Sequence, residues 1–170
     1  MEIPNRLIEL LNESKVEYDI LHHPAAFTAQ TIAEAEHIKG GHQAKVVMVK
    51  CGEQHLMAVV PADRWIDFEK LEKITGQPAS LDKEAEFRSL FPDCALGTMP
   101  PFGNLYGLAT YVDKRLAEQD YIVFEVGTYT DAIKLSYLDY EQIVQPRVED
   151  LAIDHIHAAE ARSLHPRGDR

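Results

Sequence analysis

A chain of 170 residues, 45% hydrophobic and 26% charged, has the size and composition of one globular domain with its own core. A formal net charge of -11 excludes sequence-independent binding along nucleic acid, which needs many Lys and Arg contacts to phosphate, but not a local basic lip that handles one RNA end. No apolar run approaches a membrane span, the two cysteines are too few for a disulfide scaffold, and the start Met1–Arg6 lacks the basic and apolar regions of a signal peptide, so no membrane partner and cytoplasmic residence are expected.

Residues 4–14 carry an apolar stripe of Leu7, Ile8, Leu10 and Leu11 behind Pro4, the pattern of an amphipathic helix. Val16, Tyr18 and Ile20 alternate with polar neighbours as in a half-buried strand, ended by His22-His23-Pro24. Thr28 can cap a short second helix, which stops at Gly40-Gly41. Ala44–Lys50 is a nearly continuous β-branched run that predicts a strand buried on both faces. The turn at Cys51–Gln54 returns it as His55–Val60, which makes the most secure hairpin and the expected centre of the sheet.

Asp67 can cap a helix to Thr75, closed by Gly76. An extended piece at Pro78–Leu81 follows, and Asp82 can cap a helix to about Leu90. Strands are predicted at Leu108–Val112, Tyr121–Val126 and Ala132–Leu135, with a helical turn at Lys114–Gln119. Ser136 with Asp139 resembles a capping box and opens a helix to about Val144. Beyond Pro146, the residues Val148, Leu151, Ile153 and Ile156 suggest a weak helical stripe, followed by a frayed tail from Ser163. The expected organisation is therefore one domain over residues 1–146, with a helical extension and flexible tail over 147–170.

The loop Gly97-Thr98-Met99-Pro100-Pro101-Phe102-Gly103 stands out. Two prolines fix φ and remove backbone donors, and two glycines admit conformations closed to other residues. It is either a rigid connector or a pocket wall built from backbone. Lys45, at the head of the buried strand, is either a strand-end lysine reaching for water or a fixed ammonium at a pocket rim. The eight histidines show no metal-ligand spacing, so no metal and no cofactor are expected. Cys51 and Cys94 lie in no nucleophile motif, and no G-x-S-x-G elbow, P-loop or dinucleotide fingerprint occurs. Most carboxylates fall on predicted helix faces, where solvation explains them.

These pieces occur in a familiar order. From His23-Pro24 and the Thr28 helix the match runs through Ala44-Lys45-Val46-Val47-Met48-Val49-Lys50 and Ala58-Val59-Val60-Pro61-Ala62-Asp63-Arg64. It continues to Gly97-x-x-x-Pro101-Phe102-Gly103, Gly127 and Ile133-Lys134-Leu135-Ser136. In this, residues 1–146 resemble the YbaK/prolyl-tRNA synthetase-associated domain family, the aminoacyl-tRNA editing deacylases. The resemblance implies a mixed α/β (α+β) fold, a largely antiparallel sheet curled into a partial barrel with flanking helices. It implies hydrolysis of the ester between a small amino acid and the 3′ end of a mischarged tRNA, tRNA-Pro or a related one, with a synthetase as a further candidate partner.

Lys45 would then anchor the substrate, and backbone amides near Gly97, Thr98 and Gly103 would stabilise the oxyanion. Phe27, Thr28, Met99, Pro100, Pro101, Phe102, Gly127, Thr128 and Tyr129 would line the pocket. The chain departs from the family pattern at Val46, at Pro100 and at Thr128-Tyr129-Thr130, where some relatives carry a histidine. Two alternatives stay open: a binding or regulatory module for tRNA or an aminoacyl group without catalysis, and a hydrolase of an unrelated small ester.

Overall fold

The computed structural model of the chain describes residues 2–25 and 41–154. The expected Thr28 helix, with Phe27 and Thr28, and the tail from 155 lie outside the described residues. Helix α1 (Asn5–Glu13) begins after Pro4 and buries Leu7 and Leu11 completely. Strand β1 (Tyr18–His22) follows. Strands β2 (Ala44–Cys51) and β3 (Gln54–Pro61) form the expected hairpin. Its turn needs Gly52, whose φ is +59°.

After β4 (Trp65–Ile66) comes α2 (Phe68–Thr75), capped as its sequence dictates. The Asp67 carboxylate accepts from the amides of Glu69 and Lys70, and Gly76 turns left-handed at the other end. Then come β5 (Ala79–Leu81), α3 (Glu84–Phe87) with a 3-10 turn to Leu90, β6 (Ala109–Asp113) and α4 (Lys114–Ala117). The chain continues through β7 (Tyr121–Glu125), β8 (Asp131–Ser136), α5 (Tyr137–Val144), β9 (Arg147–Glu149) and β10 (Ala152–Ile153).

Five strands form one sheet in the order β5-β2-β3-β6-β9, and three form another in the order β1-β8-β7. Pairing is antiparallel in most ladders, with parallel β3/β6 and β6/β9. An isolated parallel bridge between Gln43 and Val123 stitches the sheets together. With β5 and β9 as the outer strands among the described residues, the arrangement is an open, mixed α/β assembly, not a closed barrel.

Alternation along the strands sorts the core into two clusters. Ala44, Met48, Met57, Val59 and Val112 face Leu7, Phe102, Phe124, Ile133 and Tyr140. Val49, Cys51, Leu56, Ala58 and Val60 face Leu71, Leu151 and Ala152. Burial at β2 is uneven, since Val46 and Val47 are half-buried, so it is not covered on both faces along its whole length.

Two expectations are corrected. Asp82 does not cap α3. Its fully buried carboxylate accepts from the Lys83 amide and pairs with the His55 imidazole, because the Asp82 amide still bonds to the Met48 carbonyl as a continuation of β5. The stripe beyond Pro146 is not helical over the described residues. Buried Asp113 accepts the amides of Leu151 and Ala152 at 2.9 and 3.0 Å, which holds the chain extended and lets β9 pair with β6 and β10 with β4. A weak apolar period does not outweigh two charge-assisted hydrogen bonds made out of water.

Candidate functional site

The site is organised by one strand edge. On one side β7 pairs with β8, placing Glu125 level with Ala132 and Val123 level with Lys134. The other side is shared. At Val123 it meets the approach to β2, where the Val123 amide bonds to the His42 carbonyl at 3.0 Å and Gln43 forms the parallel bridge. At Gly127 it meets the glycine–proline loop, where the Gly127 amide bonds to the Thr98 carbonyl (2.7 Å) and its carbonyl accepts from Ala95 (2.8 Å). Between these two neighbours β7 has no ladder partner among the described residues. Lys45 follows the first contact by two residues and Met99 follows the second directly. The fold therefore sets the two sequence-predicted features at opposite ends of one short gap.

The loop divides in two. Its trailing half is core: Phe102 is fully buried against Phe124 and edge-on to Tyr140, whose hydroxyl donates to the Pro101 carbonyl at 2.7 Å. The Gly103 amide is spent on the Thr110 hydroxyl at 3.1 Å, and a Cβ on Gly103 would lie 2.2 Å from that same oxygen. Phe102 donates to the Pro100 carbonyl. The leading half is different. Gly97 has φ of +78° with open space where a side chain would be, so conformation, not crowding, demands glycine. Thr98 gives both its amide and its hydroxyl to the Ala95 carbonyl, at 3.1 and 2.6 Å. The amides of Gly97 and Met99 have no partner among the described residues.

Of the amides the sequence reading named, those of Thr98 and Gly103 are engaged internally, whereas those of Gly97 and of Met99 are free of partners among the described residues. Sequence alone does not show which amides a loop spends on itself.

The Gly127 turn is held from outside. Gly127 has φ of +88°, and an added Cβ would meet the Pro4 ring at 2.7 Å. The Thr128 hydroxyl donates to Asp131 at 2.6 Å and accepts from the Thr130 amide, while Tyr129 is exposed at the tip. The loop's flanks are pinned by α1: Arg6 pairs with Asp93 at 2.7 Å and donates to the Leu105 carbonyl, and the Tyr106 hydroxyl donates to Asp93. Cys94 lies 3.3 Å from that hydroxyl, and burial pushes its thiol up to about 11, the reverse of an activated nucleophile.

Lys45 is half-buried. Its ammonium sits 5.0 Å from the Trp65 ring centroid and 3.5 Å from the Ala62 carbonyl. Burial lowers its pKa, against the opposing charge of Asp63. Strand alternation puts Lys45 on the face of Val47 and Val49, away from Met99 and Phe102, and no hydrogen bond joins it to the loop among the described residues.

Glu125 lies on β7 between the Val123 and Gly127 contacts, and the sequence reading did not single it out. On β7 the core takes Ile122, Phe124 and Val126, so Glu125 faces the other way, in line with Val123. It is half-buried and has no hydrogen bond or ion pair among the described residues. Burial alone pushes its carboxyl up to about 7. The available signal was a single charge within the apolar run Tyr121–Val126.

Comparison with known proteins follows this geometry. The family model described as the aminoacyl-tRNA editing domain matches residues 23–143. The multifunctional Ser/Thr-tRNA deacylase ProXp-y of Escherichia coli (strain K12) is 31% identical over 149 residues, covering 84% of this chain and 89% of its own. The prolyl-tRNA editing protein ProX of Acetoanaerobium sticklandii is 24% identical over 155 residues, covering 85% and 92%. A crystal structure provisionally assigned as a trans-editing enzyme for prolyl-tRNA synthetase superposes with a TM-score of 0.75 at 21% identity, covering 87% of this chain and 95% of that one.

Proposed function

The chain belongs to the aminoacyl-tRNA editing domain family, and from that premise we propose that it hydrolyses, in trans, the ester joining a small non-cognate amino acid to the 3′ end of a tRNA, tRNA-Pro or a related one. It is a hydrolase of an already activated bond, so no strong nucleophile is needed. Water adds to the ester carbonyl carbon, the carbon–oxygen bond to the ribose breaks, and the ribose hydroxyl leaves with a proton. The Gly97 and Met99 amides receive the carbonyl oxygen as charge develops on it. Lys45 anchors the terminal nucleotide across the gap, and the rigid walls hold the reacting groups in position. The buried Met99-Pro100-Pro101 backbone and the Gly127–Tyr129 turn bound the amino-acid pocket, which rejects large side chains sterically but separates small ones by only about 1–3 kcal/mol per methylene.

The observation that carries this reading is the β7 edge, with Lys45 at one end and two unpartnered amides at the other. A net charge of -11 fits recognition of the tRNA end by a local contact, or delivery of the substrate by a synthetase, in the cytoplasm where charged tRNA is used. No helix among the described residues is long and apolar enough to cross a membrane.

The test is a panel of mischarged tRNAs, seryl- and threonyl-tRNA among them, with wild type and Lys45→Ala. The expected result is turnover by wild type and a loss of at least about tenfold in kcat/KM for the variant, the scale of one charge-assisted contact. Equal rates sink the role of Lys45. Binding of aminoacyl-tRNA without turnover by wild type points instead to the non-catalytic module.

A further inference from the structure

Glu125 is left over from this account. A carboxyl removed from water without a partner is costly, and such groups are kept paired or near neutrality. Here nothing among the described residues offsets it: no cation contacts it, and burial is the one cause that raises its pKa. Lys45, the cation closest along the shared edge, is turned to Trp65 and Ala62. An acidic group in that position is complementary to a cation that arrives with a ligand.

The substrate brings one. Every aminoacyl ester carries an α-amino group on the carbon next to the ester carbonyl, two bonds from the carbon under attack. With the carbonyl oxygen on the Gly97 and Met99 amides and the nucleotide toward Lys45, the substrate would lie along the stretch of β7 between Val123 and Gly127, the stretch that carries Glu125. We propose that Glu125 is a substrate-binding residue that receives the α-ammonium of the aminoacyl group at the unpaired edge of β7. This rests on the deacylase reading and adds to it: the site selects for a free amine. It therefore passes over N-blocked aminoacyl-tRNA, and it holds the ester in one orientation against the amides. Ion pairing with the ammonium draws Glu125 to its ionised form, which offsets the cost of its burial once substrate is bound.

The test uses binding and turnover separately. The binding probes are 3′-seryl-amino-3′-deoxyadenosine, whose amide resists hydrolysis, and its desamino counterpart carrying 3-hydroxypropanoate. Wild type is expected to bind the amine-bearing probe about 10- to 100-fold more tightly, the worth of one hydrogen-bonded ion pair. Glu125→Gln should abolish that gap and Glu125→Asp keep part of it. In turnover, Glu125→Gln should raise KM for seryl-tRNA and leave N-acetyl-seryl-tRNA, a poor substrate for wild type, unchanged.

Equal binding of the two probes by wild type, including no measurable binding of either, overturns the inference. So does a gap that survives Glu125→Gln, or a variant that loses both tRNA substrates in equal proportion, which is the mark of a merely structural role. A probe gap that depends on Glu125 in a protein that turns over no aminoacyl-tRNA leaves this inference standing and removes the deacylase reading. Normal turnover with no gap does the opposite.

Discussion

The two halves of the Gly97–Gly103 loop each carry a glycine, and the structure treats them differently. From Pro101 to Gly103 the chain is core, with a buried ring, a glycine that admits no side chain and every donor engaged. From Gly97 to Met99 its hydrogen bonds run through Thr98, and the amides on either side have no partner among the described residues. Amides serve a developing oxyanion only where the backbone is held from turning them to other acceptors, and the burial of Phe102 against Phe124 and Tyr140 fixes the adjoining backbone.

The contrast can be broken most forcefully at the trailing end. Phe102→Ala is expected to cost about 3–5 kcal/mol in urea or thermal unfolding, because it empties the contact with Phe124 and Tyr140. Gly103→Ala should cost about 2–4 kcal/mol, since both the Thr110 hydroxyl and the Leu108 carbonyl must move. Small losses in both variants would show that the trailing half is not an anchor.

An intermediate effect is expected at the gap itself, and it depends on pH. The folded pKa of Glu125 lies above its unfolded value, so the folded state holds the proton more tightly. Stability is unaffected while both states are protonated, below about pH 4, and falls as pH rises to about 7. Glu125→Gln should therefore stabilise the free protein by on the order of 2 kcal/mol at pH 8, with the gain vanishing near pH 4. Parallel unfolding curves of the two proteins across pH check this, and a pH-independent difference would mean the carboxyl is not buried as described.

The smallest effect on stability is expected at the leading end. Gly97→Ala meets no neighbour and bears only the left-handed φ, about 1–2 kcal/mol. Its effect on deacylation should be larger than that figure implies, because the amide it carries is re-aimed. Measuring unfolding and kcat together separates the two, and an active Gly97→Ala protein would move the oxyanion site elsewhere.

What could be read in advance follows the range of the interaction concerned. Asp67 and Gly76 bracket α2, and Ser136 caps α5 by accepting from the Asp139 amide, because these signals act within one turn. Lys45 and the loop were visible as chemistry out of place: a charge heading an apolar strand, and prolines set among glycines. Asp82 misled for the same local reason. Its type and position suit a cap, but His55, 27 residues away, draws its carboxylate inward. The strands after Pro146 were hidden because Asp113, 38 residues before Leu151, decides their course.

By itself, then, the sequence of this protein determined the hairpin of β2 and β3, the capped helices and the stiffness of one loop. Each follows from side chains and dihedral limits within a few residues of one another. Only the tertiary structure decided which amides that loop spends on itself, and that the approach to Lys45 and the Thr98 end of the loop both meet β7, the strand that carries Glu125. Those outcomes depend on hydrogen bonds between residues such as Thr98 and Gly127, or His42 and Val123, whose separation along the chain leaves no local pattern to read.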